Sequence, residues 1–379
     1  MKIFIIDTSG RGGICHYTYS LSQALSLFEK DITLITTKNY ELNLFERNFH
    51  IMNVLPTHYQ RKYKFAKGII YFRSLMKILS IALNNRPQII HFHQIKMPFI
   101  ELLFYKIMQL KNIKLIITLH DVKPFEYKII SPFLRYLYNI VDCIIVHSKK
   151  DVDLLEGFIS ENIWDKIQII HHGEYAFLSK NITKEDARNL LGIDINKKVL
   201  LFFGYIRRYK GLDILLKAIN ILKRKRSDIL LIIAGKEIEP FTGYQKMIDE
   251  LDIGENIIKK IGYIPINECS LYFSSADVVV LPYREIYQSG VVFLSYGHSR
   301  PVMVTNVGAF SEAVEDGKSG FIVEPENPSE LAGKIDYIYS SGVNLDEMGR
   351  YGFQMAQKKF SWKSSAEKTY NVYKNLSNI

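Results

Sequence analysis

Short runs of aliphatic and β-branched residues recur along this chain at 2–7, 31–36, 88–93, 114–119 and 143–147, and again at 198–204, 229–235, 257–262, 278–281 and 302–305. Their lengths and near-continuous apolar character are those of strands buried on both faces. Between them lie longer stretches with apolar positions at helical spacing, such as 15–29, 69–84, 212–226 and 328–339. Strand and helix alternating in this way predict right-handed βαβ units and parallel sheets. The strand series stops near Ile170 and resumes at Lys198, and Ser179-Lys180-Asn181-Ile182-Thr183-Lys184-Glu185-Asp186 in the gap is polar and charged. The break predicts two doubly wound α/β domains, 1–180 and 181–360, linked by a connection and a short helix. Open sheets of this type bind ligands outside the carboxyl ends of their strands, where strand order reverses. Two such domains facing each other share a cleft, so the loops after the strands are where chemistry is expected.

With 379 residues, 47% hydrophobic and 23% charged, the chain is long enough for two sizeable cores. A disordered chain, a collagen-like one and a small disulfide scaffold are excluded. Cys15, Cys143 and Cys269 are far apart and form no C-x-x-C pair. That fits a reducing compartment and argues against structural zinc. The opening Met1-Lys2-Ile3-Phe4-Ile5-Ile6-Asp7 is too short an apolar run for a secretory leader. No stretch approaches the roughly 18 uncharged residues of a membrane span; the greasiest, 97–110, is broken by Glu101 and Lys106. A cytoplasmic protein, soluble or peripheral to a membrane, is expected.

The net charge of +10 is unevenly spread. Residues 1–180 hold 23 basic and 15 acidic side chains, and the rest hold 26 and 24. Within the first set, residues 47–100 contain nine bases and no acid. Aromatics interleave with these bases in His58-Tyr59-Gln60-Arg61-Lys62-Tyr63-Lys64-Phe65 and in the helical run to Leu83. A basic amphipathic element of this kind suits an anionic membrane surface or an anionic acceptor; a solvated helix face packed on its own domain is the other reading. Nucleic acid is not an expected partner, because no helix-turn-helix, RNA-binding sheet signature or zinc finger accompanies the charge.

Four strand ends carry candidate chemistry. Ser9-Gly10-Arg11-Gly12-Gly13 separates the first strand from a helix, and glycines there let a ligand approach the backbone and leave helix N–H groups aimed at an anion. Its spacing misses the G-x-G-x-x-G dinucleotide fingerprint, and a plain tight turn is the competing reading. Gly204-Tyr205-Ile206-Arg207-Arg208-Tyr209-Lys210-Gly211 makes the same strand-to-helix turn with three cations. The Lys210 ammonium and the Arg208 guanidinium suit charge growing on a departing diphosphate. Gln288-Ser289-Gly290-Val291-Val292, after Pro282-Tyr283-Arg284-Glu285, opens another helix and makes a second backbone nest. His120-Asp121 follows the strand at 114–119, where a histidine can donate to or accept from a sugar hydroxyl. Asp151-Val152-Asp153 imitates a metal-binding D-x-D, but it follows Ser148-Lys149-Lys150 where a helix should begin, so its acids read as dipole partners. His91 and His93 end one strand and His171-His172 precede the connection; neither pair has a third ligand at recognisable spacing, and no metal is expected.

Taken together, these stretches resemble the family 4 retaining glycosyltransferases of GT-B fold. The matching pieces run in order: Gly12-Gly13, Thr118-Leu119-His120-Asp121, Val146-His147-Ser148, His172-Gly173-Glu174 and the segment from Gly204 to Gly211. Then come Ala234-Gly235, Ile261-Gly262-Tyr263-Ile264, Ser289-Gly290-Val291-Val292, Arg300-Pro301-Val302, Thr305-Asn306-Val307-Gly308, Glu312 and Asp316-Gly317-Lys318-Ser319-Gly320-Phe321. The resemblance implies two Rossmann-like domains facing across a cleft. The acceptor would lie on 1–180, with a helix at about 361–379 packing back on it, and a UDP- or GDP-sugar donor mainly on 181–360. Lys210 with Arg207 and Arg208 would grip the diphosphate beside Gly204, joined by the backbone at Ser289, Gly290, Val291 and Val292. Gly12 and Gly13 would approach the phosphates from the other domain, Tyr263 and Ile264 would contact the base, and His120 would face the donor sugar. Such enzymes generally need no metal or other cofactor. Transfer to a saccharide or lipid-linked acceptor, in surface polysaccharide or glycolipid synthesis at the inner face of the cell membrane, is the expected use.

Three positions depart from that pattern. Tyr287 and Ser295 stand where the family commonly has glutamates, and Tyr205 where it usually has an arginine. Arg207 or Arg208 is then expected to reach the phosphates, and Glu285 to replace one carboxylate. No paired carboxylates for a double displacement stand out, so leaving-group stabilisation by Lys210, Arg208 and backbone amides is the main contribution expected of the protein. The family implies same-face attack, with the leaving phosphate accepting the proton. Two alternatives stay open: an isomerase such as a sugar-nucleotide 2-epimerase on the same scaffold, and a non-catalytic nucleotide-sugar-binding protein.

Overall fold

A computed structural model of the chain describes residues 1–57, 64–122, 132–156, 159, 161–178 and 182–377. Two compact units divide the chain: Met1–Gly173 with Phe360–Ile379, and Glu174–Lys359. The first is built on β1 (Ile3–Ile6), β2 (Ile32–Thr37), β3 (His50–Leu55), β4 (Ile89–Phe92), β5 (Lys114–Thr118), β6 (Cys143–Val146) and β7 (Ile167–Ile169), all parallel, in the spatial order β3-β2-β1-β4-β5-β6-β7. The second is built on β8 (Lys198–Phe203), β9 (Ile229–Gly235), β10 (Ile257–Ile261), β11 (Val278–Leu281), β12 (Val302–Thr305) and β13 (Gly320–Val323), also parallel, in the order β10-β9-β8-β11-β12-β13. In both sheets the chain starts in the middle, winds to one edge, then crosses back to wind to the other. The reversal falls between β1 and β4 in one sheet and between β8 and β11 in the other, which is where a doubly wound sheet opens its ligand crevice.

The apolar runs mark the strands that helices cover on both faces. β1, β4, β6 and β11 are buried along their whole length. The three strands that the runs do not mark, β3, β7 and β13, are all sheet edges. β3 reads His-Ile-Met-Asn-Val-Leu and β7 Ile-Gln-Ile, both partly exposed, because an edge strand needs only part of its surface to be apolar. β13 opens on Gly320, where a Cβ would sit 2.2 Å from the Val302 carbonyl oxygen.

Right-handed crossovers place the helices Lys64–Asn85, Pro98–Gln109 and Pro132–Ile140 on one face of the first sheet and Gly13–Leu25 on the other. Gly13–Leu25 is in turn covered by Trp362–Ser377, a helix that follows the entire second unit in the chain. Tyr370 stacks on Phe28 with centroids 5.8 Å apart, and Tyr373 is wholly buried. The core of the second unit gathers Leu200, Phe202 and Ile233 from its strands with Leu215 and Ile219 from the helix Leu212–Lys223. Residues 58–63 of the basic stretch and 179–181 of the connection lie outside the described residues.

Candidate active site

In the second unit the chemistry collects at the β8/β11 reversal. The turn after β8 contains a short 3-10 helix, Arg208–Lys210, and ends on Gly211, which initiates Leu212–Lys223. Gly211 has φ of +68°, and a Cβ there would lie 1.9 Å from the Pro282 carbonyl oxygen. Only glycine lets this turn sit against the loop after β11. Arg284 fixes the turn from that loop. It donates two hydrogen bonds to the Asp213 carboxylate at 2.8 and 2.7 Å, one to Glu326 at 2.6 Å and one to the Arg208 carbonyl at 2.8 Å. Burial pushes the Asp213 carboxyl up, but the Arg284 bonds outweigh it and hold the pKa below its ordinary value.

This scaffold buries Lys210. Its side chain turns inward, and Nζ donates to the Tyr283 hydroxyl at 3.1 Å and lies 4.8 Å from that ring's centre. Burial raises the pKa of Tyr283, so this partner is a neutral phenol. A Cβ on Gly204 would be 3.4 Å from Lys210 Nζ and 3.7 Å from Val291 Cγ2, so the bare glycine keeps backbone, ammonium and the start of Gly290–Gly297 together. Within that helix the Val292 N–H is already bonded to the Ser289 carbonyl at 3.2 Å. The amides of Gly290 and Val291 are first-turn groups with no intrahelical acceptor.

The structure thus assembles Gly204, Lys210, Ser289, Gly290 and Val291 around Tyr283, a residue that the motifs bracket without marking. Val292 follows them in the same helix and is buried. The Arg208 side chain is exposed. Arg207 is half-buried, with its Nε enclosed and unpartnered and its guanidinium 6.0 Å from the Tyr209 ring centre. Glu285 is exposed. Tyr263 and the buried Ile264 follow β10 beyond Gly262, whose N–H bonds the Gly235 carbonyl at 3.0 Å.

The corresponding edge of the first unit is lined with imidazoles. His91 and His93 come from β4 and its end, His120 follows β5, His147 follows β6 and His172 follows β7. Tyr17, on Gly13–Leu25, touches four of them, with centroids 5.2 Å from His93, 4.6 Å from His120, 5.2 Å from His147 and 5.1 Å from His172. Burial lowers all five pKa values. His147 falls to about 4, His91 and His172 to about 3, and His93 and His120 lie well below the usual imidazole range. The rings are neutral, and the hydrogen-bond network assigns the tautomers of His147 and His120. His147 Nδ1 lies 2.9 Å from the Ile170 carbonyl, which can only accept, so it carries the proton. Its bare Nε2 then accepts from His120 Nδ1 at 3.3 Å. His120 therefore presents Nε2 as a lone pair, and that atom is enclosed without a partner. His93 is 1% exposed with both ring nitrogens unpartnered. Four consecutive strands followed by histidine at their carboxyl ends were the readable signal for this cluster.

The glycine turn of the first unit is largely occupied by its own carboxylates. Asp7 is fully buried and accepts from the N–H groups of Ser9 at 2.8 Å and Gly10 at 3.1 Å. Desolvation raises its pKa against these bonds. The Gly12 N–H donates to Glu41 at 3.0 Å. At Gly13 a Cβ would meet no atom within 4 Å. Of the D-x-D acids, Asp151 is a capping group: its Oδ2 accepts from the Ser148 N–H at 2.9 Å while Ser148 Oγ accepts from the Asp151 N–H at 3.1 Å, closing the start of Lys149–Glu156, and Asp153 is exposed.

Comparison with known proteins matches the model described as Glycosyltransferase Family 4 to residues 11–173 and the one described as Glycosyl transferases group 1 to residues 183–355. The chain belongs to the family 4 glycosyltransferases. Among curated relatives, a D-inositol 3-phosphate glycosyltransferase of Paenarthrobacter aurescens is 30% identical over 236 residues, 61% of this chain and 57% of that protein. Spore coat protein SA of Bacillus subtilis is 26% identical over 198 residues, 50% of this chain and 52% of that protein. The chain spans a little more than half the length of these curated relatives. Of solved structures, sucrose-phosphate synthase from Thermosynechococcus elongatus is similar with a TM-score of 0.79 at 18% identity, covering 99% of this chain and 98% of that one. HepE of Anabaena, solved in complex with UDP and glucose, gives 0.77 at 16% identity over 100% of both chains. These likenesses establish the two-domain, Rossmann-like GT-B fold. Within this family 4 chain two of the three departing positions are interior: Tyr287 is buried, and Ser295 is fully buried with Oγ donating to the Val291 carbonyl at 2.7 Å, while Tyr205 is exposed. A carboxylate could not be placed at Ser295 without desolvating its charge.

Proposed function

We propose that the chain is a retaining, metal-independent hexosyltransferase. It moves a sugar from a UDP- or GDP-sugar to a saccharide or lipid-linked acceptor in surface polysaccharide or glycolipid synthesis. The observation that carries this reading is Lys210, an ammonium held in the interior of a glycine turn against a neutral phenol and beside a helix start with two open amides. Such a group is disposed to meet negative charge that appears during reaction. HepE, solved with UDP-glucose, and the Paenarthrobacter glycosyltransferase support the assignment by analogy.

As the anomeric C–O bond breaks, the sugar becomes oxocarbenium-like and charge grows on the leaving diphosphate. Lys210 and the Gly290 and Val291 amides stabilise that charge. Attack comes from the same face, and the acceptor hydroxyl's proton passes to a leaving phosphate oxygen. His120 Nε2 accepts a hydrogen bond from a donor-sugar hydroxyl. Residues 47–100 make an anionic membrane surface a partner, and the three buried, free cysteines accord with a reducing cytoplasm.

Thermal shift with UDP, GDP, ADP and their sugars tests the donor, since a ligand of the folded state raises the melting temperature. Transfer over an acceptor panel, with the product's anomeric configuration read by NMR, tests retention. Stabilisation by none of the nucleotides would overturn the reading. The buried Tyr287 and Ser295 favour a second reading, nucleotide-sugar binding without turnover, which predicts stabilisation with neither transfer nor hydrolysis.

A further inference from the structure

We propose that the outer face of the helices Lys64–Asn85, Pro98–Gln109 and Pro132–Ile140 is a docking surface for an anionic lipid membrane. This rests on the membrane partnership proposed for residues 47–100 and extends it to two helices, one of them wholly outside that stretch. All three lie on the same face of the first sheet, because successive right-handed crossovers run in one direction. Each keeps a normal buried stripe, such as Tyr71, Leu75, Ile78 and Ala82 in the first. Each also exposes a second apolar stripe at helical spacing. Lys64–Asn85 shows Ile69, Phe72, Met76 and Leu83; Pro98–Gln109 shows Phe99 at 67% and Leu103 at 65%, followed by Leu110 at 82%; Pro132–Ile140 shows Phe133 and Tyr136. The last two stripes join: Phe99 meets Phe133 edge-on at 5.1 Å, and Lys106 Nζ lies 5.2 Å from the Tyr136 ring centre.

Charge selects the occupant. The three helices carry six bases, Lys64, Lys67, Arg73, Lys77, Lys106 and Arg135, and one acid, Glu101. That acid faces inward at 1% exposure, bonded to the Tyr71 hydroxyl and the Lys96 N–H. The described exposed surface of these three helices is thus free of acids, and Asp153 and Glu156 on the neighbouring Lys149–Glu156 are exposed and bound it on one side. A second copy seated symmetrically on this face would bring cation against cation. Exposed aromatic and aliphatic side chains rimmed by Lys and Arg, with no acid among them, fit the interface of an anionic bilayer.

Flotation of the full chain with vesicles tests this, using phosphatidylcholine alone and an equimolar mixture with phosphatidylglycerol. The protein should float with the mixture and much less with phosphatidylcholine, and added salt should weaken the interaction. Arg73→Glu with Lys77→Glu should lower partition roughly 10- to 100-fold, and Phe99→Ser with Leu103→Ser roughly tenfold. Both pairs are exposed, so melting temperature and nucleotide-induced shifts should be unchanged. No partition by the parent chain, or equal partition by both variants, would overturn the proposal. So would a lipid-free dimer that Phe99→Ser with Leu103→Ser dissolves. The assay contains no nucleotide, so loss of the donor reading would leave its outcome intact, and the reverse holds too.

Discussion

The two sheets share one winding order and place their reversal at the same point, β1 against β4 and β8 against β11, yet they furnish the carboxyl edges with opposite chemistry. At the second, a single lysine is drawn inward and an Arg284–Asp213–Glu326 cluster stiffens the turn that carries it. At the first, five histidines are held uncharged by burial, four of them against Tyr17, and the glycine turn spends amides on Asp7 and Glu41. On the function proposed above, one edge meets an anion and the other offers neutral acceptors to hydroxyl groups. The same topology therefore dictates where a ligand goes without dictating its charge; the side chains at the strand ends do that.

Acid should separate the two units most strongly. Unfolded imidazoles bind protons near pH 6.5, whereas folded His147 does so only near 4 and His91 and His172 near 3. The unfolded state holds more protons in that window, so this stability is complete above pH 6.5 and falls as pH drops through it, by about 1.4 kcal/mol per pH unit for each histidine. The second unit contains one such group, His298, lowered to about 4. Both tryptophans, Trp164 and Trp362, lie in the first unit. Their fluorescence should therefore report a urea midpoint that falls between neutral and mildly acidic pH, ahead of cleavage within the second unit under limited proteolysis. Simultaneous loss of both units would erase the contrast.

Next in size is Gly211→Ala. A methyl 1.9 Å from the Pro282 oxygen at φ +68° must displace backbone, and a loss of about 3 kcal/mol or more of stability is expected in urea titration. Lys210→Met keeps the stem and removes the charge, and kcat/KM should fall on the order of 100-fold, about 3 kcal/mol. Equal transfer by this variant would remove the anion-meeting role from the second edge. His147→Phe keeps a ring but takes away the acceptor that fixes the His120 tautomer, so kcat/KM should drop roughly tenfold with the nucleotide thermal shift retained. Smallest is Tyr373→Phe, which strips a 2.6 Å partner from buried His91 Nδ1 and should lower stability by about 1 kcal/mol.

The central strands and the three glycine turns were legible because burial on two faces and sharp strand-to-helix turns both leave strong compositional marks. β3, β7 and β13 were not, since edge strands tolerate His50, Gln168 and Gly320. Lys210 stood out beside Gly211, but its partner Tyr283 did not, because nothing local distinguishes a phenol that packs from one that receives an ammonium. The histidine cluster was visible only one strand at a time. His93, His120, His147 and His172 are brought round Tyr17 by sheet order, a long-range property that no window of sequence contains.

The helix Trp362–Ser377 has a consequence for synthesis. Trp362 packs beneath Gly173, where a Cβ would fall 2.2 Å from its indole, and Tyr373 completes the hydrogen bonding of His91. A ribosome must translate all of Glu174–Lys359 before it supplies these pieces. Although its first strands emerge earliest, the amino-terminal unit is the later of the two to be finished, and until then His91 lacks Tyr373 while Tyr17 and His172 lack Trp362.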